Sequence, residues 1–157
     1  MGAFKPYDIR GVYGTEVTPE LAGKAAAWFA ELFGIDNVVI GNDVRISSPI
    51  LKKSAIKGLI GRGCEIVDIG LTTTPSVGLY VIKEKLDGGI MITASHNPPE
   101  HNGMKLYGKN GLDFTYETGI AMIEAIMKKK LPKASLGSVK NENFREQYEN
   151  HIISLAN

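Results

Sequence analysis

A chain of 157 residues, 43% of them hydrophobic, can bury one sizeable core, and one domain is expected. Charged residues make up 22% and nearly cancel to a formal +1, which leaves no footprint for nucleic acid or an anionic membrane; any anion site must be built locally from a few placed cations. The single cysteine, Cys64, sits in an apolar stretch without an intrachain partner, the start Met1-Gly2-Ala3-Phe4-Lys5-Pro6 has no apolar leader, and no run approaches the roughly 18 apolar residues of a membrane span, so a cytoplasmic protein with a buried thiol is expected.

In chain order, Thr18-Pro19-Glu20 supplies an N-cap, a proline suited to the first helical position and an early acid. Leu21, Ala25, Phe29 and Leu32 then share a face, which predicts a helix ended by Gly34. Val38-Val39-Ile40 predicts a buried strand that hands over to Gly41-Asn42-Asp43. Ser47-Ser48-Pro49 opens a second helix with Leu51, Ala55 and Leu59 as its spine, Lys52, Lys53 and Lys57 on its wet side and Gly61-Arg62-Gly63 at its close. Residues 64–69 predict a strand, Thr74-Pro75 a helix to about Lys85, and residues 88–93 another strand.

Strands separated by helices of this length need crossover connections, so the fold expected is a three-layer α/β/α sandwich with a mostly parallel or mixed sheet. After a glycine-punctuated segment, residues 103–111, Ile120, Ile123, Ile126 and Met127 mark a last core helix ending near Lys128-Lys129-Lys130. Phe144, Tyr148, Ile152 and Leu155 then recur at helical spacing. Residues 1–140 thus read as the domain, and 141–157 as an amphipathic helix that packs on its own core or begins a connection to a neighbouring domain.

The chemistry centres on Thr93-Ala94-Ser95-His96-Asn97-Pro98-Pro99. Consecutive prolines restrict φ and remove two backbone donors, so Asn97 and Pro98 belong to a turn that presents Ser95 in a narrow set of shapes, as a nucleophile requires. The loop lies beyond the carboxyl end of a strand, where ligands of such sheets collect. A plainer reading, a polar strand end with a turn, stays open on these residues alone. Asn102-Gly103-Met104-Lys105 follows and offers Lys105 as a cation for a phosphoryl group, as a proton donor and acceptor, or as an ordinary surface charge. In Tyr7-Asp8-Ile9-Arg10-Gly11, Arg10 is able to fork onto phosphate oxygens or to pair with Asp8 or Asp43. Asp43 and Arg45, in Gly41-Asn42-Asp43-Val44-Arg45, stand at another strand-to-loop junction, where they contact substrate or orient loops.

Four segments in this order, Phe4-Lys5-Pro6-Tyr7-Asp8-Ile9-Arg10-Gly11, Gly41-Asn42-Asp43-Val44-Arg45, Gly88-Gly89-Ile90-Met91-Ile92-Thr93-Ala94-Ser95-His96-Asn97-Pro98-Pro99 and Asn102-Gly103-Met104-Lys105, closely resemble the first domain of the phosphohexomutases, the phosphomannomutase and phosphoglucomutase family. The resemblance implies an isomerase that moves a phosphoryl group between the 6 and 1 oxygens of a hexose phosphate through a bisphosphorylated sugar. It implies a phosphoserine at Ser95, with one phosphate oxygen on a magnesium ion whose main ligands come from a second domain. Arg10 and Lys105 resemble the residues that stabilise that phosphate and shuttle protons, His96 and Tyr7 those that line the site, and Arg45 one of supporting role. Asn42 departs from the arginine of many members. The loop from Pro99-Glu100 to Lys105 looks more like the mannose and glucose branch than the glucosamine branch.

The family gathers its site from four domains, and this sequence has neither a loop of clustered aspartates nor a glycine-rich sugar-reading loop; Asp87, Glu100 and Asp113 are scattered. The chain alone is therefore expected to be nearly inactive, with the remaining domains and a hexose phosphate as its partners. Two alternatives are a non-catalytic module that binds a sugar phosphate or a partner, and a serine hydrolase using Ser95 and His96, which lacks a G-x-S-x-G elbow.

Overall fold

The side chain of Thr18 accepts a hydrogen bond from the Leu21 amide at 3.1 Å and starts α1 (Pro19–Phe33), which ends where Gly34 takes φ 61°. This is the capped helix that the sequence predicts. The computed structural model describes residues 2–156; Met1, where the expected leaderless start begins, and Asn157, the end of the expected tail helix, lie outside the described residues. Strand β1 (Ile9–Val12) precedes α1, and β2 (Asn37–Asn42) follows it. The chain continues through α2 (Ser48–Ile60), β3 (Glu65–Leu71), α3 (Thr74–Glu84) and β4 (Gly88–Ile92). It then forms β5 (His101–Gly108), α4 (Ala121–Ile126), β6 (Ser138–Asn141) and α5 (Arg145–Leu155).

The six strands make one mixed sheet in the order β1-β5-β4-β2-β3-β6. β4, β2, β3 and β6 run parallel, while β5 is antiparallel to both β4 and β1. Val38, Val39 and Ile40 of the central β2 are fully buried because both faces of the sheet are covered. One face packs against α1, α2 and α4 through Ala25, Phe29, Leu51, Leu59 and Ile123; the other takes Val77, Tyr80 and Val81 of α3, with Phe144 ahead of α5. Where α1 crosses α2 the backbones nearly touch, and a Cβ on Gly58 would stand 2.1 Å from the Gly23 carbonyl oxygen.

Several elements differ from the sequence reading. Residues 101–108 form a full strand, although Gly103 and Gly108 interrupt any alternation of side chains; a Cβ on Gly103 would meet the Ile9 carbonyl oxygen at 2.1 Å, so β1 can seat only on a glycine. β1 and β6 are short edge strands set by pairing rather than pattern. A π-turn at Tyr116–Ile120 precedes α4, and Gly119 within it leaves the room that Phe114 and Phe33 fill. Lys52 leaves the wet side of α2 for an ion pair at 2.8 Å with Asp68 of β3, while Lys53 and Lys57 are exposed. In the tail, Phe144 is buried edge-on against Tyr80 and Tyr148 is half-buried, whereas Ile152 and Leu155 are exposed. Cys64 is buried, its thiol donates to the Ile35 carbonyl at 3.1 Å, and burial raises its pKa to about 11. Among the described residues no helix is long and apolar enough to cross a membrane.

Candidate active site

Beyond the carboxyl end of β4 the backbone turns back on itself, with the Asn97 amide donating to the Ala94 carbonyl and the His101 amide to that of Pro98, both at 3.0 Å. The turn feeds β5, so Ser95 does not sit at the start of a helix. Its side chain is solvent-exposed and its φ is +53°, in the left-handed region that costs a non-glycine residue about 1 kcal/mol. Such a conformation persists only where surrounding contacts enforce it.

Arg45 is the chief enforcer. Its Nη2 donates to the carbonyls of Ser95 (2.8 Å) and Asn97 (2.7 Å), and its Nη1 to those of Pro98 (2.7 Å) and His101 (3.0 Å). The rigid guanidinium fork thereby ties together both limbs of the loop, which an ammonium point charge cannot copy. Asp43 sets the fork in turn: its Oδ2 lies 3.2 Å from Arg45 Nε, and its Oδ1 accepts from the Arg45 amide at 3.1 Å. The same carboxylate accepts from Thr93 Oγ1 (2.8 Å) and Ser48 Oγ (2.5 Å), and Thr93 Oγ1 accepts from the Ser95 amide at 2.8 Å. Of the two readings left open for Asp43 and Arg45, the geometry matches loop orientation.

Arg10 reaches the loop from β1. Its Nη1 donates to Asn97 Oδ1 at 3.2 Å and its Nε stands 3.5 Å from Asp8 Oδ2, so the pairing with Asp8 offered by the sequence is present beside the link to the serine loop. Lys105 stands opposite Met91 in the β4–β5 register, which places both on one face of the sheet, and its Nζ is 3.7 Å from Asp113 Oδ2. Met91 lines a cleft of about 720 Å³ together with Asp43, Arg45, Thr73, Thr93, Ser95 and Asn97. His96 is exposed beside Ser95. Tyr7 is 66% exposed and lines a different hollow, of about 560 Å³, with Phe4, Tyr116 and Glu124. The structure therefore gathers Arg10, Asp43, Arg45, Asn97 and Pro98 around Ser95, while Lys105 and Tyr7 are not among the residues that line its cleft.

Two contributors had no role assigned from sequence. Thr93 was visible as the residue that leads into the loop. Asn102 is fully buried and its Nδ2 donates to Ser47 Oγ (2.8 Å) and Ser48 Oγ (2.9 Å), fastening the start of β5 to the start of α2. Among the described residues no group of three or more His, Cys, Asp or Glu side chains is placed to hold a metal ion, so a complete magnesium cage does not fit these residues.

Fold and loop define an α/β/α domain that presents a strained serine at the carboxyl edge of its sheet. The family model described as phosphoglucomutase/phosphomannomutase, alpha/beta/alpha domain I, matches residues 1–133, and the chain belongs to that family. A Pyrococcus abyssi protein named probable phosphoglucosamine mutase is 42% identical, over 92% of this chain and 33% of the relative. A Vibrio cholerae phosphomannomutase is 35% identical, over 96% of this chain and 34% of its own length. The crystal structure of a phosphoglucomutase/phosphomannomutase family protein from Burkholderia thailandensis superposes with a TM-score of 0.83 at 27% identity, covering 97% of this chain and 35% of that one. The chain thus spans about a third of the length of the curated relatives it matches.

Proposed function

We propose that this chain is the phosphoryl-carrying domain of a mutase that interconverts hexose 6-phosphate and hexose 1-phosphate through a phosphoserine at Ser95 and a bisphosphorylated sugar. The observation that carries this reading is the presentation of Ser95: exposed, at positive φ, its backbone pinned by the Arg45 fork. The turn into an antiparallel strand speaks against the hydrolase alternative, whose serine elbow leads into a helix.

In the transfer, the bond from phosphorus to Ser95 Oγ breaks as one to a sugar hydroxyl oxygen forms, and the hydroxyl proton ends on Ser95 Oγ. Arg10, linked to the loop through Asn97, is the cation offered to the phosphoryl oxygens, and the family resemblance, rather than this chain's own cleft, gives Lys105 the proton relay and sets His96 and Tyr7 along the approach. Asp43, Arg45, Asn97 and Pro98 hold the loop. Magnesium, when bound, would neutralise phosphoryl charge through an oxygen on Ser95, with its protein ligands supplied from a second domain. Residues 141–157 lead towards that domain, in keeping with relatives three times as long. The chain alone is nearly inactive.

Relatives named phosphomannomutase support mannose phosphate as substrate, and those named probable phosphoglucosamine mutase, at up to 47% identity, bring the amino sugar in beside mannose and glucose. Mass spectrometry of protein isolated from its source tests the reading. Phosphate on Ser95 is expected; a source protein with Ser95 bare, and unlabelled after incubation with hexose 1,6-bisphosphates, would overturn it. Robust magnesium-dependent turnover by the purified chain would overturn the claim that other domains are required.

A further inference from the structure

We infer that Asp8 is a positioning residue, which sets the orientation of the Arg10 guanidinium toward the Ser95 loop; this rests on the phosphoserine reading for its purpose but not for its geometry. Asp8 is only 4% exposed, and its Oδ1 is buried with no hydrogen-bond partner among the described residues. A carboxylate in such a place is costly, and an asparagine or an apolar side chain would fill the same space without a desolvated charge. What the carboxylate does there is hold Arg10: Asp8 Oδ2 stands 3.5 Å from Nε.

Arg10 is held at a second point, Nη1 on Asn97 Oδ1 at 3.2 Å, inside the loop that presents Ser95. An ion pair at Nε and a hydrogen bond at Nη1 together limit the plane of a rigid fork. The remaining nitrogen, Nη2, has no hydrogen-bond acceptor among the described residues and is available to an anion on the loop. Backbone geometry supports the same arrangement. Arg10 lies opposite Gly103 in the β1–β5 register, where a Cβ would stand 2.9 Å from Arg10 Cα, so the main chain beneath the side chain is seated as tightly as its tip. Asp8 itself is too buried to touch a substrate, so it acts only through Arg10.

Nitrogen-15 NMR of the arginine side chains tests the inference, on the full chain with and without phosphoserine installed at position 95. In the unmodified sequence the Arg10 Nε proton should exchange with water about tenfold slower than that of free arginine, because the ion pair with the buried Asp8 carboxylate shields it from water. Phosphorylation of Ser95 should shift the Arg10 Nη signals. In Asp8→Asn, with backbone amide signals showing the fold intact, the exchange protection should vanish and the response to phosphorylation should fall. Retention of both in Asp8→Asn overturns the inference. Should that variant not fold, an Nε proton exchanging at the free rate in the unmodified chain overturns it equally. An Arg10 that is protected yet blind to phosphorylation leaves the Asp8 hold standing and sinks the phosphoserine role of Arg10 instead.

Discussion

Arg45 and Ser95 lie 50 residues apart in sequence and meet through a 2.8 Å hydrogen bond from the Arg45 Nη2 to the Ser95 carbonyl. The contact joins the loop after β2 to the loop after β4, two neighbouring parallel strands whose carboxyl ends share one edge. Adjacency in the sheet is what lets one guanidinium reach four carbonyls of a single loop.

Arg45→Lys keeps the charge and loses the fork. It should lower stability by about 2 kcal/mol, since several charge-assisted bonds to carbonyls collapse to one or two, and leave those carbonyls partly unsatisfied. Urea denaturation measures the loss. On the proposed phosphoserine reading, phosphate occupancy of Ser95 should fall in the same variant.

Substitution at Ser95 separates strain from chemistry. Both Ser95→Gly and Ser95→Ala remove the hydroxyl, but only glycine is at ease at φ +53°. Ser95→Gly should therefore unfold at higher denaturant than Ser95→Ala, by about 1 kcal/mol of stability. Equal stabilities would mean that the left-handed turn is not imposed by the fold.

The Cys64 thiol supplies a pH dependence of definite sign. Its pKa is 9.0 ordinarily and about 11 when buried in the fold, so between those values the unfolded chain has lost a proton that the native chain keeps. Stability should decline as pH rises through that window, by up to about 1.4 kcal/mol per pH unit from this group. Thermal melts of Cys64→Ala compared with the parent from pH 8 to pH 11 should show a flatter dependence. The native thiol should also resist alkylation at pH 8 and react on unfolding.

The crossing of α1 and α2 depends on bare backbone. Gly58→Ala gains up to about 1 kcal/mol of helix propensity but places a methyl 2.1 Å from the Gly23 carbonyl oxygen, so the helices must part, at a cost of about 2 kcal/mol or more. A net fall in melting temperature is expected. Gly23→Ala meets the Ser54 carbonyl at 3.0 Å and should be milder.

The parallel heart of the fold was legible because β2 and β4 carry continuous apolar runs and the helices between β2, β3 and β4 open on Pro49 and Pro75, while α1 ahead of them carries the plainest caps, Thr18 and Gly34. Strand β5 was not, since its residues Asn102 and Gly103 have no strand pattern and owe their conformation to β4 and β1 on either side. Lys52 misled for a similar reason: its partner Asp68 lies outside the helix, on β3, and a helical wheel cannot see it. At the site, Ser95, Arg10, Asp43 and Arg45 stood out as residue types at strand ends. The four carbonyls that Arg45 gathers did not, because every residue has a carbonyl and only the folded turn points these at one guanidinium.

The antiparallel seat of β1 on β5 bears on the order of events during synthesis. Arg10 emerges from the ribosome early, yet its partner Asn97 is 87 residues behind it, and Ile9 pairs with Met104. The N-terminal strand must wait unpaired while α1, β2, α2, β3, α3 and β4 are made, and then close a very long loop, a step that topology makes slow. A nascent chain halted before residue 101 would have Ser95 already made, and no strand on which to seat the arginine.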